Sequence, residues 1–167
     1  GYNIRNIYDA MWVMRDKIAA RGKTDEYVKV LAYWSGLAET RKPYVYGRDE
    51  LLDSWHTLLI PKIVSALMLP DEAEQYRAMK SLGVWLSGSL GFTPGTIGGI
   101  KPDGTTFHHG GFYPAYSTGA FAMIGYFCKA TRGTDFTLSE QARRNFKLAL
   151  MTMASYTDLR DWGLGLA

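Results

Sequence analysis

The chain has 167 residues, of which 47% are hydrophobic and 14% aromatic, so it can bury a core and is not an intrinsically disordered chain. Its formal net charge of +3 comes from scattered Lys and Arg, which argues against a nucleic-acid partner. The sequence has no apolar run of about 18 residues and only one cysteine, so neither a membrane span nor an internal disulfide is predicted. We predict a single domain over residues 1–167, with no membrane partner.

Apolar residues in the first part of the chain recur at helical spacing, and no long segment alternates as a β-strand would. The first predicted helix ends near Gly22 and carries the stripe Ile4, Ile7, Tyr8, Met11, Met14 and Ile18. The second has Thr24 as its predicted N-cap, followed by Asp25 and Glu26 where the helix dipole favours acidic side chains. Its apolar stripe is Tyr27, Val30, Leu31, Trp34 and Ala38.

Two more helices are predicted before the middle of the chain. The third covers residues 51–67, and Pro61 is expected to kink or interrupt it because proline lacks a backbone N–H. Trp55 and His56 on this helix are interpreted as core residues in preference to a platform for a sugar ring. The fourth begins after Pro70 and extends to about Leu86.

The last part of the chain predicts two helices. The fifth runs from about Pro114 to Thr131, and the sixth opens with the capping-box pattern Thr137-Leu-Ser-Glu. About six helices of similar length, joined mostly by short turns, predict an all-α fold of antiparallel helical hairpins. Cys128 lies among apolar residues of the fifth helix and is predicted to be a buried structural thiol.

Residues 90–113 interrupt the helical pattern with seven glycines, and no helix is predicted there. Residues 101–104, Lys-Pro-Asp-Gly, fit a β-turn with Pro second and Gly fourth, and the flanking residues predict a short hairpin. Long irregular connections in compact domains are usually either functional or disordered. The aromatic side chains of this stretch favour an ordered loop packed against the rest of the domain: Phe107, His108, His109, Phe112 and Tyr113.

The junction between this loop and the fifth helix is the strongest candidate for chemistry. Pro114 suits the first helical position, which places Tyr116 in the first turn, where unbonded backbone N–H groups favour an anion. Lowering the pKa of a tyrosine by two units takes about 2.7 kcal/mol. A helix N-terminus supplies only about 0.3–1 kcal/mol, so a nearby Arg or Lys is also needed. Arg160 is one candidate.

Spacing alone leaves structural interpretations of these residues open. Tyr116 can simply pack its ring, and His108 and His109 can be loop residues that bond to backbone carbonyls. No metal-binding motif accompanies the two adjacent histidines, so no metal ligand is predicted.

Residues 101–117 resemble the catalytic segment of polysaccharide lyase family eight, through the pattern K-P-D-G-T-x-F-x-H-x-G-x-Y-P-x-Y-S. That family includes hyaluronate and chondroitin lyases, and the seven-residue separation of His109 and Tyr116 is most similar to the broad-specificity chondroitin sulfate ABC lyases. The flanking helices and the ending W-G-L-G-L-A are consistent with the family's α/α toroid. The resemblance implies that residues 1–167 are an incomplete α/α toroid, part of the helical catalytic domain of a longer, secreted or periplasmic lyase.

Carried over residue by residue, the resemblance implies that Tyr116 acts as base and then as acid, and that His109 lies beside the uronate C5 and its carboxylate. The implied reaction is β-elimination, in which the proton on the carbon next to the carboxylate is removed and the 4-linked sugar oxygen departs. The candidate substrate-binding residues are His108, Tyr113 and Trp162. The expected substrate is an acidic glycosaminoglycan (chondroitin or dermatan sulfate, or hyaluronan), and a divalent cation is left open as a cofactor.

Several alternatives remain at this point. The family's Arg and Glu are expected beyond Ala167. Residues 1–167 on their own are therefore expected to be inactive. The group that neutralises the substrate carboxylate is expected to be His108, His56 or a residue outside the chain. A non-catalytic carbohydrate-binding helical module is the alternative function. A glycoside hydrolase is disfavoured, because hydrolysis needs two carboxylates and the loop supplies only Asp103.

Overall fold

A computed structural model of the protein describes residues 5–47 and 50–157. Its helices are α1 (Arg5–Val13), α2 (Arg15–Ala20), α3 (Thr24–Ser35), α4 (Leu51–Asp53), α5 (Leu59–Leu67), α6 (Glu72–Ser89), α7 (Pro114–Ala130) and α8 (Glu140–Tyr156). A 3₁₀ turn covers Leu37–Arg41, a π-helical turn covers Ser54–Leu58, and three short strands are β1 (Gly99–Ile100), β2 (Thr106–His108) and β3 (Gly111–Phe112). The helices dominate, so the predicted all-α class is confirmed.

The N-terminal helices differ in detail from the sequence pattern. The first predicted helix is two helices, α1 and α2, which meet at Met14. Helix α3 already includes Thr24, and no side chain caps it, so the prediction of Thr24 as N-cap is wrong. The face of α3 that is buried is Val28, Leu31 and Ser35, whereas Tyr27, Val30 and Trp34 of the apolar stripe are exposed. Because α3 packs against α5, that contact decides which of its apolar faces is covered.

The third predicted helix is continuous but not uniform. Helix α4 passes directly into the π-helical turn, which leads into α5 with Pro61 inside its first turn. A π turn uses wider i→i+5 spacing, so the α-helical hydrogen-bond pattern is interrupted just before Pro61. Trp55 is fully buried and donates a hydrogen bond from Nε1 to Ser89 Oγ at 2.9 Å, which confirms its interpretation as a core residue.

Side-chain caps fix the starts of α6 and α8. Asp71 accepts a hydrogen bond from the backbone N–H of Glu74 at 2.8 Å. In α8 the cap is Ser139, which accepts from the N–H of Ala142, so the predicted capping box starting at Thr137 is wrong. Burial of Leu138 in the core, together with the bond from Ser139 N–H to Ser87 Oγ at 2.9 Å, delays the helix by two residues.

The glycine-rich stretch forms a three-stranded antiparallel sheet in the order β1–β2–β3. The predicted turn is confirmed, because Gly104 N–H donates to Lys101 O at 2.8 Å and Lys101 N–H donates to Thr105 O at 2.8 Å. Asp103 tightens it by accepting bonds from the backbone N–H and the hydroxyl of Thr105. The hairpin of β1 and β2 was predicted, whereas β3 was not.

Two apolar clusters make the core. The larger is built on α4, α6, α7 and α8, and includes Leu52, Trp55, Leu82, Leu86, Leu90 and Ile124. The smaller joins α1, α2, α3 and α5 through Tyr8, Ile18, Val28, Leu31, Val64 and Met68. No helix in the described part of the chain is long and apolar enough to cross a membrane.

Candidate active site

The end of β2, the β3 turn and the start of α7 are tied together by hydrogen bonds. Tyr113 N–H donates to Thr106 O at 3.1 Å, and Ser117 Oγ donates to Tyr113 O at 3.1 Å. The hydroxyls of Thr106 and Ser117 also bond to each other in a buried position. Pro114 occupies the first turn of α7, as predicted, and its fixed φ suits this position. Tyr116 is therefore held in the first turn of α7, where unbonded backbone N–H groups gather.

His109 has an unusual backbone conformation. Its φ of 51° makes it the one non-glycine residue with positive φ among residues 5–47 and 50–157, and Gly110 follows with φ 76°. For an L-amino acid the left-handed region costs roughly 1–2 kcal/mol. These two residues turn the chain from β2 into β3, and the turn leaves His109 exposed to solvent. Strained positions of this kind are concentrated at functional sites.

Four rings gather at this turn. The His108 ring lies 3.9 Å from the His109 ring and 4.8 Å from the Tyr116 ring, centroid to centroid, and stacks on Tyr116 with an interplanar angle of 27°. Tyr113 meets Tyr116 edge-on at 5.1 Å, and His109 lies 6.4 Å from Tyr116. We call His108, His109, Tyr113 and Tyr116 the ring cluster. It brings together four of the five predicted site residues, whereas Trp162 and also Arg160 lie outside the described residues.

Burial divides the ring cluster into two layers. His109 is exposed and Tyr113 and Tyr116 are half-buried, so these three can be reached from solvent. His108 has 0% of its surface exposed and lies beneath them. The arrangement places an imidazole and a phenol side by side at the surface, with a second imidazole supporting both from below.

Asp53, at the end of α4, is a neighbour of the ring cluster that the sequence did not reveal. Its Oδ2 lies 3.7 Å from His108 Nε2, within ion-pair distance for a protonated imidazole. The two residues are far apart in the chain and belong to no common motif, so spacing gave no signal. Only the packing of α4 against α7 and the sheet brings them together.

A buried lysine holds the loop that precedes the ring cluster. Lys101 is 6% exposed, and its Nζ donates to Ile97 O at 2.5 Å, to Thr93 Oγ1 at 3.0 Å and to Thr93 O at 3.4 Å. It also lies 4.6 Å from the centre of the Phe107 ring in β2. Burial lowers the pKa of the Lys101 ammonium, with Asp103 acting in the opposite direction. Lys101 thus links residues 93–97 to the strand that carries His108.

The remaining candidates are His56 and Cys128. His56 is half-buried, packs its ring against Gly119, and lines a separate cavity of about 400 Å³ with Asn6, Asp9 and Tyr126. Cys128 is half-buried, and burial raises the pKa of its thiol, so the reactive thiolate is disfavoured. Within the described residues, no group of three or more His, Cys, Asp or Glu side chains is arranged to hold a metal ion.

The fold is that of a helical domain. Its ring cluster presents an exposed imidazole and a half-buried phenol, which can exchange protons with a ligand. Residues 1–167 match the family described as "Lyase, catalytic", and the chain belongs to this family.

Three curated relatives are similar over nearly the whole chain. A chondroitin sulfate ABC exolyase of Bacteroides thetaiotaomicron is 32% identical over 171 residues, covering 100% of the chain. A chondroitin sulfate ABC exolyase of Proteus vulgaris is 30% identical over 94% of the chain, and a chondroitin sulfate ABC endolyase of that organism is 28% identical over 100%. The chain spans 16% of the length of each of these relatives.

Proposed function

We propose that this chain carries part of the active site of a glycosaminoglycan lyase that cleaves uronate-containing polysaccharide by β-elimination. The observation that carries the proposal is the pairing of exposed His109 with Tyr116 at the N-terminus of α7, in a chain of the lyase catalytic family. The named relatives are chondroitin sulfate lyases, which supports chondroitin or dermatan sulfate as substrate, with hyaluronan as a further candidate.

Tyr116 is the proposed base and then acid. The carbon–hydrogen bond next to a uronate carboxylate is weakly acidic, so a positioned base must remove its proton while other groups stabilise the developing negative charge. Tyr116 lies in the first turn of α7, beside the unbonded backbone N–H groups of the helix start. After proton removal the neutral phenol can donate that proton to the departing 4-linked sugar oxygen, if both lie on the same face of the sugar ring. No water is consumed.

His109 is the proposed partner on the substrate side. It is exposed, and its ring lies 6.4 Å from that of Tyr116, so both side chains can contact the same sugar. An imidazole N–H there can donate to the uronate carboxylate and stabilise the charge formed at C5.

The other predicted binding residues have different positions. Half-buried Tyr113 presents part of its ring beside Tyr116 and is proposed to contact a sugar. Trp162 stays a proposed contact outside the described residues. His108 is proposed to support the other rings, because it is fully buried beneath them.

The chain is proposed to be one segment of a longer enzyme. Its coverage of 16% of each curated relative supports further domains that supply the family's Arg and Glu. An α/α toroid completed by those domains, and secretion or periplasmic export to reach the polymer, belong to the same proposal. Residues 1–167 expressed alone are accordingly expected to bind weakly and to show no turnover.

The decisive test is the product formed from chondroitin sulfate by the full-length enzyme. Elimination leaves a conjugated double bond that absorbs ultraviolet light, whereas hydrolysis produces new reducing ends without that absorbance. A rise in absorbance that matches the new reducing ends supports the proposal. Reducing ends without absorbance would indicate hydrolysis, and binding without any cleavage would indicate a carbohydrate-binding module.

A further inference from the structure

Asp53 is placed to act on the ring cluster without touching a ligand. Its side chain is 25% exposed, and its Oδ2 faces Nε2 of fully buried His108 at 3.7 Å. The His108 ring in turn stacks against Tyr116 and contacts the tilted ring of His109. The carboxylate therefore lies one ring away from each of the two proposed reacting side chains.

The backbone around Asp53 is fixed on several sides. Leu51 and Leu52, just before it, are 1% and 0% exposed. Thr57 Oγ1 in the π-helical turn donates to Asp53 O at 2.6 Å, so the π turn begins at a fixed point. Leu51 also packs closely against Gly99 of β1, where an added Cβ would lie 3.2 Å from Leu51 Cδ2. The backbone that carries Asp53 is consequently fixed relative to the sheet that carries His108.

An imidazole has two ring nitrogens. The group that lies opposite one of these nitrogens influences how the ring is oriented. The Asp53 carboxylate lies opposite Nε2 of His108, at ion-pair distance. A carboxylate in this position favours the ring orientation that turns Nε2 toward it. Tyr116 stacks on the His108 ring at an interplanar angle of 27°, and the His109 ring is tilted against it at 32°.

We propose that Asp53 is a positioning residue of the lyase site, which orients His108 through Nε2 and thereby holds the rings of His109 and Tyr116 at their working separation. This inference rests on the proposed elimination reaction. Asp53 directly precedes the π-helical turn, and π turns inside helices are often found at functional sites.

The test is steady-state kinetics of chondroitin sulfate cleavage by the full-length enzyme carrying Asp53→Asn, which keeps the size of the side chain and removes its charge. We expect kcat to fall roughly 10- to 100-fold, the usual cost of losing the group that orients a functional imidazole, with little change in KM. Asp53→Glu restores the charge and should regain most of kcat. Asp16→Asn, on an 88% exposed carboxylate of α2, is the matched control and should behave as wild type.

A double-mutant comparison identifies the route of the effect. In a His108→Gln background, Asp53→Asn should cause no further loss, because the group it orients is absent. Wild-type kcat in folded Asp53→Asn, equal losses in both backgrounds, or failure of both Asp53 variants to fold would each overturn the inference. If the wild type itself forms no unsaturated product, the proposed function fails instead, so the two failures are distinct.

Discussion

The helical region and the site segment, residues 91–117, are held in place by different interactions. Between the helices, large apolar side chains such as Leu52, Leu82 and Leu86 are 0% exposed and fill the space directly. In the site segment, short strands depend on single polar contacts, among them the three bonds of Lys101 and the Thr106–Ser117 bond. The helices therefore contribute most of the stability of the fold. The positions of the site residues depend on many hydrogen bonds, each of which is needed.

The largest effect on stability is expected in the helical region. Leu86→Ala removes a side chain that is 0% exposed in the main core, and should lower the free energy of unfolding by about 2–5 kcal/mol through lost burial and the cavity left behind. Leu150→Ala on α8, where the side chain is 41% exposed, is the matched control and should cost under about 1 kcal/mol. Denaturant unfolding measures both, and similar losses would contradict the account of the helical core.

In the site segment, a smaller loss of stability should accompany a clear loss of activity. Lys101→Met leaves the oxygens of Thr93 and Ile97 without their buried donor, which should cost about 1–3 kcal/mol. Because the strand carrying His108 loses its link to this loop, turnover should also fall by up to about 10²-fold, the scale of a displacement near 1 Å. Lys147→Met, which replaces an exposed lysine on α8, is the control. Normal turnover by Lys101→Met would show that the loop needs no such link.

The smallest effect is expected from the acidic residue of the β1–β2 turn. The hydroxyl and backbone N–H of Thr105 lower the pKa of Asp103 below the ordinary value of 3.8. The folded protein therefore binds this proton less readily than the unfolded chain, so the stability it gives is full above about pH 3.8 and is lost as pH falls through the lowered pKa. Unfolding at pH 6 and pH 3 should show a slightly smaller acid loss for Asp103→Asn than for wild type. An unchanged acid loss would contradict a role for this carboxylate.

The same comparison explains how far the sequence could predict the structure. Helical periodicity, Pro114 and the Lys-Pro-Asp-Gly turn act locally, so the helices, the start of α7 and the hairpin were predictable. The exposed side of α3 and the cap at Ser139 were not, because contacts with distant residues decide them. Both apolar faces of α3 satisfy helical spacing, and both Thr137 and Ser139 are of residue types that cap helices.

The site shows the same limit. Residues close together in sequence, from His108 to Tyr116, were identified from one motif, and the structure brings their rings together. Asp53 carried no local signal, because only the approach of α4 to the sheet places it beside His108. The left-handed backbone of His109 was also hidden, since histidine is not a residue type that marks positive φ as glycine does.

The central claim is that Tyr116 performs acid–base chemistry in a β-elimination. Its most direct test is the rate of ultraviolet absorbance increase from chondroitin sulfate for the full-length enzyme and its Tyr116→Phe variant, which lacks one hydroxyl oxygen. We predict that the rate of the variant is lower by about 10²- to 10⁴-fold, while the variant still binds the polysaccharide. A folded Tyr116→Phe enzyme that retains more than about one tenth of the wild-type rate would contradict this account, since a positioned acid–base is worth at least about 10²-fold.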